Sequence, residues 1–300
     1  MYKILSIDGG GIRGIIPVRL LERLERHHPG IVQEFDLFAG TSSGAVLAAG
    51  FAYGLTARFL RQMYKGFGEE VFTDSIWDDI KDLKILIGAD YSLENFKSLM
   101  ERVVGSITLG QLPKKVLITT FDLKDETLDP PRWKPKFFHN YNSSNGDGDQ
   151  RLVDVVIRSA AAPIYFPTYQ GYIDGGVAAI NPSTCAMAQA YHEGFRDVRM
   201  LSFGTGTNPH WLEEQEADWG VIQWGLKLVN IFIDGVSEVA DYQCRQILQE
   251  DYFRLQPLLP YSIGLDEWQA TDELIAIADS VDLDSLLEWI TQSFHSNDNS

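Results

Sequence analysis

The sequence predicts an α/β fold, a mostly parallel β-sheet with helices on its faces. Three observations predict it. Short runs rich in Ile, Leu and Val recur along the chain, the first two end at glycine-marked turns, and each turn is followed by a segment of helical character. Strand, helix, strand, helix joined by short links leaves parallel pairing as the economical topology.

Tyr2 to Ile7 reads as a buried strand. After its glycines, Ile16, Leu20, Leu21 and Leu24 share one helical face, with Arg19, Arg23 and Arg26 off it. That helix stops near His27-His28-Pro29-Gly30, where cations meet the negative end of the dipole. Phe35 to Ala39 is a second strand, and Ala45 to Tyr53 a helix of small residues. Residues 55–110 read as mainly helical. Lys115 to Phe121, Tyr169 to Ile173 and Val198 to Phe203 read as strands, and Pro182 to His192 as a helix with Pro182 suited to its first position. Lys124 to Gln150, rich in Pro, Asn, Ser, Gly and Asp, reads as a long surface excursion with one strand at Lys136 to Phe138. Trp219 to Ile233 and Ser280 to Phe294 complete the helices. No repeat and no long linker divides the chain, so 1–300 is read as one domain. Its motif-bearing core is 3–206, and 207–300 is a mainly helical completion.

The composition is that of a globular protein, 45% apolar and 22% charged. A net charge of −17 argues against nucleic acid and against electrostatic docking on anionic lipid. Apolar contact with a membrane or micelle stays open. Cys185 and Cys244 make no disulfide framework. The start, MYKILSIDGG, lacks the basic and long apolar regions of a secretory signal. The longest uncharged window, Leu37 to Ala57, is broken by GTSSG and further glycines, so it does not read as a membrane span. A cytoplasmic protein is expected. No HExxH, EF-hand loop or acidic cluster with calcium spacing is present, so no metal and calcium-independent activity are expected.

Three motifs follow three strands. Asp8-Gly9-Gly10-Gly11-Ile12-Arg13-Gly14 can turn several N–H groups towards one point at a helix start, which suits a phosphate or the oxyanion of acyl transfer. It also satisfies GxGxxG, but the acid of a dinucleotide site is missing from the end of the second strand. Glu34 stands before that strand, and Gly40-Thr41-Ser42-Ser43-Gly44 occupies the position after it. No nucleotide cofactor is expected. GTSSG fits a G-x-S-x-G nucleophile elbow, with Ser42 at its centre and Ser43 the one-residue alternative. A plain Ser/Gly turn capping the next helix is the ordinary reading of such a string. Asp174-Gly175-Gly176 sets a carboxylate at a strand end, where α/β sheets gather functional groups, though an Asp-Gly turn is common.

A serine nucleophile needs a base. His27, His28, His139 and His295 read as exposed surface residues. His192 and His210 follow in the order a Ser-His-Asp esterase requires, without supporting context.

Together the three strings resemble the patatin-like phospholipase family. DGGGIRG (8–14) is similar to its oxyanion segment, GTSSG (40–44) to its elbow and DGG (174–176) to its Asp motif. Ala160 to Pro163, Tyr165 to Pro167, Asn181-Pro182 and Ser202 to Gly206 agree, while Ile180 stands where a second Asn is frequent. The resemblance implies a three-layer α/β/α fold and a Ser42–Asp174 dyad without histidine. It implies a lipid acyl hydrolase acting on carboxylic esters of phospholipids or other acyl lipids. Gly9, Gly10, Gly11, Ile12, Arg13 and Ser43 would supply the oxyanion donors, and Gly14, Gly40, Gly44, Gly175 and Gly176 the tight turns. Free Asp is a weak base, so Asp174 is expected to be shielded from water, which raises its pKa. A Ser-His-Asp carboxylesterase and a non-catalytic storage or regulatory protein on the same scaffold are the alternatives.

Arg13 is expected to orient the glycine loop, meet a lipid phosphate or pair with a helix acid. Trp219 to Ile233 has Lys227 as its only charge and reads as a core helix ahead of a lid or interfacial one. Phe67, Phe72 and Trp77 line a channel or the core, and Arg132 to Tyr141 reads as an exposed hairpin ahead of a headgroup contact.

Overall fold

The computed structural model describes residues 1–72, 93–142, 146–163, 165–209 and 221–294, with the side chains of 67–72, 221–223 and 225–230 left aside. Phe67, Phe72, Trp77, His210, Trp219 and His295 therefore lie outside what can be described.

The order of elements is β1 (Tyr2–Ile7), α1 (Ile15–His27), β2 (Leu37–Thr41), α2 (Ser43–Tyr53), α3 (Ala57–Phe72), α4 (Leu93–Val104), β3 (Lys115–Asp125) and β4 (Arg132–His139). Then come α5 (Leu152–Ala160), β5 (Tyr172–Asp174), α6 (Gly176–Ala179), α7 (Ser183–His192), β6 (Val198–Phe203), α8 (Val221–Leu248), β7 (Tyr252–Leu255), α9 (Thr271–Ser280) and α10 (Asp284–Phe294). The sheet runs β4-β3-β2-β1-β6-β7, with β5 on β3. β1 pairs in parallel with both β2 and β6, β2 with β3, and β6 with β7, while β4 and β5 lie antiparallel to β3.

Alternation along the strands builds two cores. Leu5, Ile7, Phe38, Val116, Ile118, Leu201 and Phe203 turn to one face and meet α1, α2 and α5. Ile4, Leu37, Ala39, Leu117 and Met200 turn to the other and meet Ala186, Met187 and Ala190 of α7 with Cys244 and Leu248 of α8. The result is a three-layer α/β/α fold. α1 shows why: its Ile16, Leu20, Leu21 and Leu24 are fully buried, and the chain leaves it through Gly30 at φ 86°.

Several elements differ from expectation. The excursion after Lys124 holds a full strand, β4, rather than a three-residue one, and α5 follows it unannounced. The C-terminal third is not only helical, since β7 extends the sheet beyond β6. His139 is buried (7% exposed) rather than on the surface, and burial lowers its pKa. The apolar C-terminal part of the Trp219–Ile233 stretch is not core: Ile231 and Phe232 are 43% and 65% exposed. Among its described side chains, α8 buries the stripe Ser237, Ala240, Cys244 and Leu248, spaced three and four residues apart. Trp133 in β4 is exposed, while Asn140 and Tyr141 beyond it are buried. Among the described residues no helix is long and apolar enough to cross a membrane. Among them, too, no group of three His, Cys, Asp or Glu side chains is placed to hold a metal ion.

Candidate active site

Sheet register brings the three motifs to one edge. Thr41, the last residue of β2, pairs with Thr119. There β2 ends, and β5 takes up the next position of the same β3 edge, with Asp174 opposite Thr120. Ser42 and Asp174 are 132 positions apart in sequence and adjacent across one step of β3. The Thr119 hydroxyl bonds that of Thr41 at 2.6 Å, and Thr41 Oγ1 donates to the Ala179 carbonyl at 2.7 Å. These bonds tie β2, β3 and α6 beneath the pair.

Ser42 holds φ 54° and ψ −122°, a backbone state rare for a side chain with Cβ. Its N–H donates to Ser159 Oγ at 2.8 Å, and its carbonyl accepts from the Ala45 N–H at 2.9 Å, so bonds on both sides hold the strained turn. Ser159 is fully buried on α5 and was invisible as a site residue in sequence. Ser159→Ala should leave a buried N–H without an acceptor, at a cost of about 1–3 kcal/mol. Urea unfolding of the variant beside wild type checks this, and an unchanged midpoint would refute it. Ser43 is also buried, but its Oγ has no hydrogen-bond partner and its carbonyl accepts from Tyr64 Oη at 3.0 Å.

Asp174 is 5% exposed, in agreement with the expected shielding. Burial pushes its carboxyl up to about 6, against the pull of hydrogen bonds from the Ser42 hydroxyl and the Gly176 N–H. The latter bond is 2.6 Å long. Neither of these groups is charged, so the carboxylate has the basicity that desolvation gives it.

The glycine loop passes directly against the serine. A Cβ on Gly9 would stand 3.1 Å from Ser42 Cβ and 2.6 Å from Ile180 Cδ1, so glycine lets the loop pass without displacing either side chain. Of the six expected oxyanion donors, three are occupied. The N–H of Gly9 donates to Ile180 O at 3.0 Å, that of Ile12 to Leu265 O at 2.8 Å and that of Arg13 to Gly10 O at 3.1 Å. Among the described residues, no acceptor engages the amides of Gly10, Gly11 or Ser43. Thr205 Oγ1 fixes the loop by donating to Gly9 O at 2.8 Å. Gly14 packs on Tyr64, Gly175 on the backbone of Thr119, Gly176 beside Asp174 and Gly40 against Gly44. Arg13 is buried, and its Nη1 donates to Gly206 O at 3.4 Å. Burial lowers its pKa, with the charge of Asp234 opposing. It thus meets the turn after β6 and the charge of Asp234 on α8.

His139 and His192 stand apart from this cluster. His139 pairs with Leu117, one strand beyond β3 and two residues down the sheet from Thr119. Strand spacing and rise put it roughly 10 Å or more from Ser42. His192 is exposed at the end of α7.

The family model described as "Patatin-like phospholipase" matches residues 5–186, which contain all three motifs. The chain belongs to the patatin-like phospholipase family. It is 26% identical to "Putative sporulation hydrolase CotR" of Bacillus subtilis (strain 168), over 98% of this chain and 99% of that one. It is 28% identical to "Patatin-like protein 2" of Arabidopsis thaliana, over 85% of this chain and 75% of that one. The "cGAMP-activated phospholipase" of Escherichia coli (strain TW11681) is 30% identical over 68% of this chain and 62% of its own length. Among solved structures, VipD from Legionella pneumophila aligns with a TM-score of 0.40 at 12% identity, over 92% of this chain and 66% of that one. The patatin-like family is one of lipid-ester hydrolases. A relative in Solanum tuberosum, "Probable inactive patatin-3-Kuras 1", is described as inactive, so activity has to be argued from this chain's own residues.

Proposed function

We propose that this patatin-like protein is a serine lipid acyl hydrolase that uses Ser42 as nucleophile and Asp174 as base. The observation that carries the reading is the sheet register that sets Ser42, on its strained elbow, beside a buried carboxylate raised to about 6. Ser42 Oγ attacks the ester carbonyl carbon while its proton passes to Asp174, and the carbonyl π-electrons move to oxygen. The amides of Gly10, Gly11 and Ser43, with no partner among the described residues, are the donors suited to that oxyanion. On collapse the alcohol leaves with the proton from Asp174. Asp174 then takes a proton from water, whose oxygen attacks the acyl-enzyme; the fatty acid is released and Ser42 is reprotonated. The substrate class is an acyl lipid, met through transient contact with a membrane or micelle. Desolvation explains how an aspartate serves as base without a histidine.

The test is a panel of phosphatidylcholine, phosphatidylglycerol, monoacylglycerol and a short-chain ester, with products read by mass spectrometry for wild type and Ser42→Ala. Fatty-acid release should fall about 10³-fold or more in the variant. With −17 on the chain, wild-type rates should stay level or rise with salt. Release unaffected by Ser42→Ala would sink the reading.

A further inference from the structure

The mechanism above leaves one buried charge next to the site unused. Asp8, 2% exposed, immediately precedes the glycine loop, and its N–H donates to Phe203 O at 3.0 Å. Both oxygens of its carboxylate are held by Arg254 of β7, Nη2 to Oδ2 at 2.6 Å and Nη1 to Oδ1 at 3.2 Å. The Arg254 side chain is itself only 3% exposed. Its Nη1 also donates to Ser202 Oγ of β6 at 2.8 Å, and its Nη2 to Ser237 Oγ of α8 at 3.1 Å. Ser237 Oγ donates in turn to Asp8 Oδ2 at 3.4 Å, and Asp241 of α8 stands 3.9 Å from Arg254 Nε. One guanidinium thus gathers β1, β6, β7 and α8 under the first residue of the loop.

Two physical effects follow. A planar, bidentate fork fixes the orientation of Asp8 more tightly than a point charge would. An uncompensated buried carboxylate beside the loop would oppose the negative charge that builds on the oxyanion, because attraction and repulsion are both strong in a dry site. We propose that Arg254 is a positioning residue for ester hydrolysis: it neutralises Asp8 and sets the glycine loop for the oxyanion. The inference rests on the serine hydrolase reading above. The charged groups facing Asp8 are Arg254 and Asp241. Tyr252 lies beside Arg254 and Cys244 beside Asp241; burial pushes both up, so neither ionises in the working range.

The experiment measures short-chain ester kinetics of the full chain from about pH 5 to 9 for wild type, Arg254→Met, Arg254→Lys and the double variant Asp8→Asn with Arg254→Met. Arg254→Met should lower kcat about 100-fold with KM within about threefold, and the loss should deepen as pH rises and the unpaired Asp8 ionises. Arg254→Lys keeps the charge without the fork and should lose about tenfold. The double variant should return to within about tenfold of wild type and lose the added pH dependence. It carries no unpaired charge, so it serves, with Arg254→Lys, if Arg254→Met does not fold. Wild-type kcat in Arg254→Met, or a double variant no faster than Arg254→Met, overturns the inference while Ser42-dependent turnover stands. Turnover that does not need Ser42 removes the hydrolase reading and this inference together.

Discussion

Asp174→Asn should stop ester hydrolysis and, above about pH 6, make the protein harder to unfold. Loss of the base should lower kcat about 10³-fold. The stability effect has the opposite sign because the folded protein raises the carboxyl from 3.8 to about 6. A raised carboxyl binds its proton more tightly when folded, so its contribution is full below the unfolded value and is lost as pH rises through the folded one. A shift of about two units corresponds to about 3 kcal/mol in favour of the neutral amide at neutral and alkaline pH. Thermal unfolding of both proteins at about pH 8 and pH 4 tests this, with a higher Tm for the variant at the first and none at the second. The wild-type rate should also climb through about pH 6 as Asp174 ionises. Equal Tm values at alkaline pH would show that the carboxylate is not desolvated.

Gly44→Ala should cost about 3 kcal/mol or more and take hydrolysis down with it. A Cβ there would stand 2.2 Å from Ile7 O and 2.6 Å from Asp8 O. Both obstacles are backbone at the end of β1, a strand paired on both sides, so neither can move aside. Helix α2 would have to lift away from β1 and carry Ser42 off Asp174. Gly66→Ala is the paired control. Gly66 is exposed in α3 with nothing within 4 Å of an added methyl, and alanine there should stabilise by about 0.5–1 kcal/mol. Denaturant midpoints that move the same way in both variants would refute the steric account.

Sequence made the glycine motifs legible because each answers to a local demand, a chain reversal or a backbone touching backbone within a strand–turn–helix unit. Ser42 and Asp174 were readable for that reason, and so were β1, α1 and β6, whose apolar period survives burial intact. What escaped depends on partners far along the chain. Ser159 looks like any helical serine until the Ser42 N–H arrives from 117 positions away. β7 is four residues long with an arginine inside it, a pattern of exposed surface; the carboxylate of Asp8, with the hydroxyls of Ser202 and Ser237, makes its burial tolerable. His139 read as surface because it falls in the irregular Lys124 to Gln150 excursion, yet β4 carries it inward at its last residue. The six expected oxyanion amides could not be told apart locally for the same cause. Which amides are already engaged is decided by Ile180, Leu265 and the turn of the loop itself.

The bond from Ile12 to Leu265 bears on where this protein can be cut. The match to the family model stops at residue 186, which invites a shortened form containing every motif. Yet Leu265 O fills the space that a Cβ on Gly11 would occupy, at 2.1 Å, and β7 brings the partner of Asp8. Leu265 and β7 thus wall the glycine loop from beyond residue 186, and a form cut there should open that loop to water. Amide exchange at Ile12 is therefore a local gauge of whether that wall is in place.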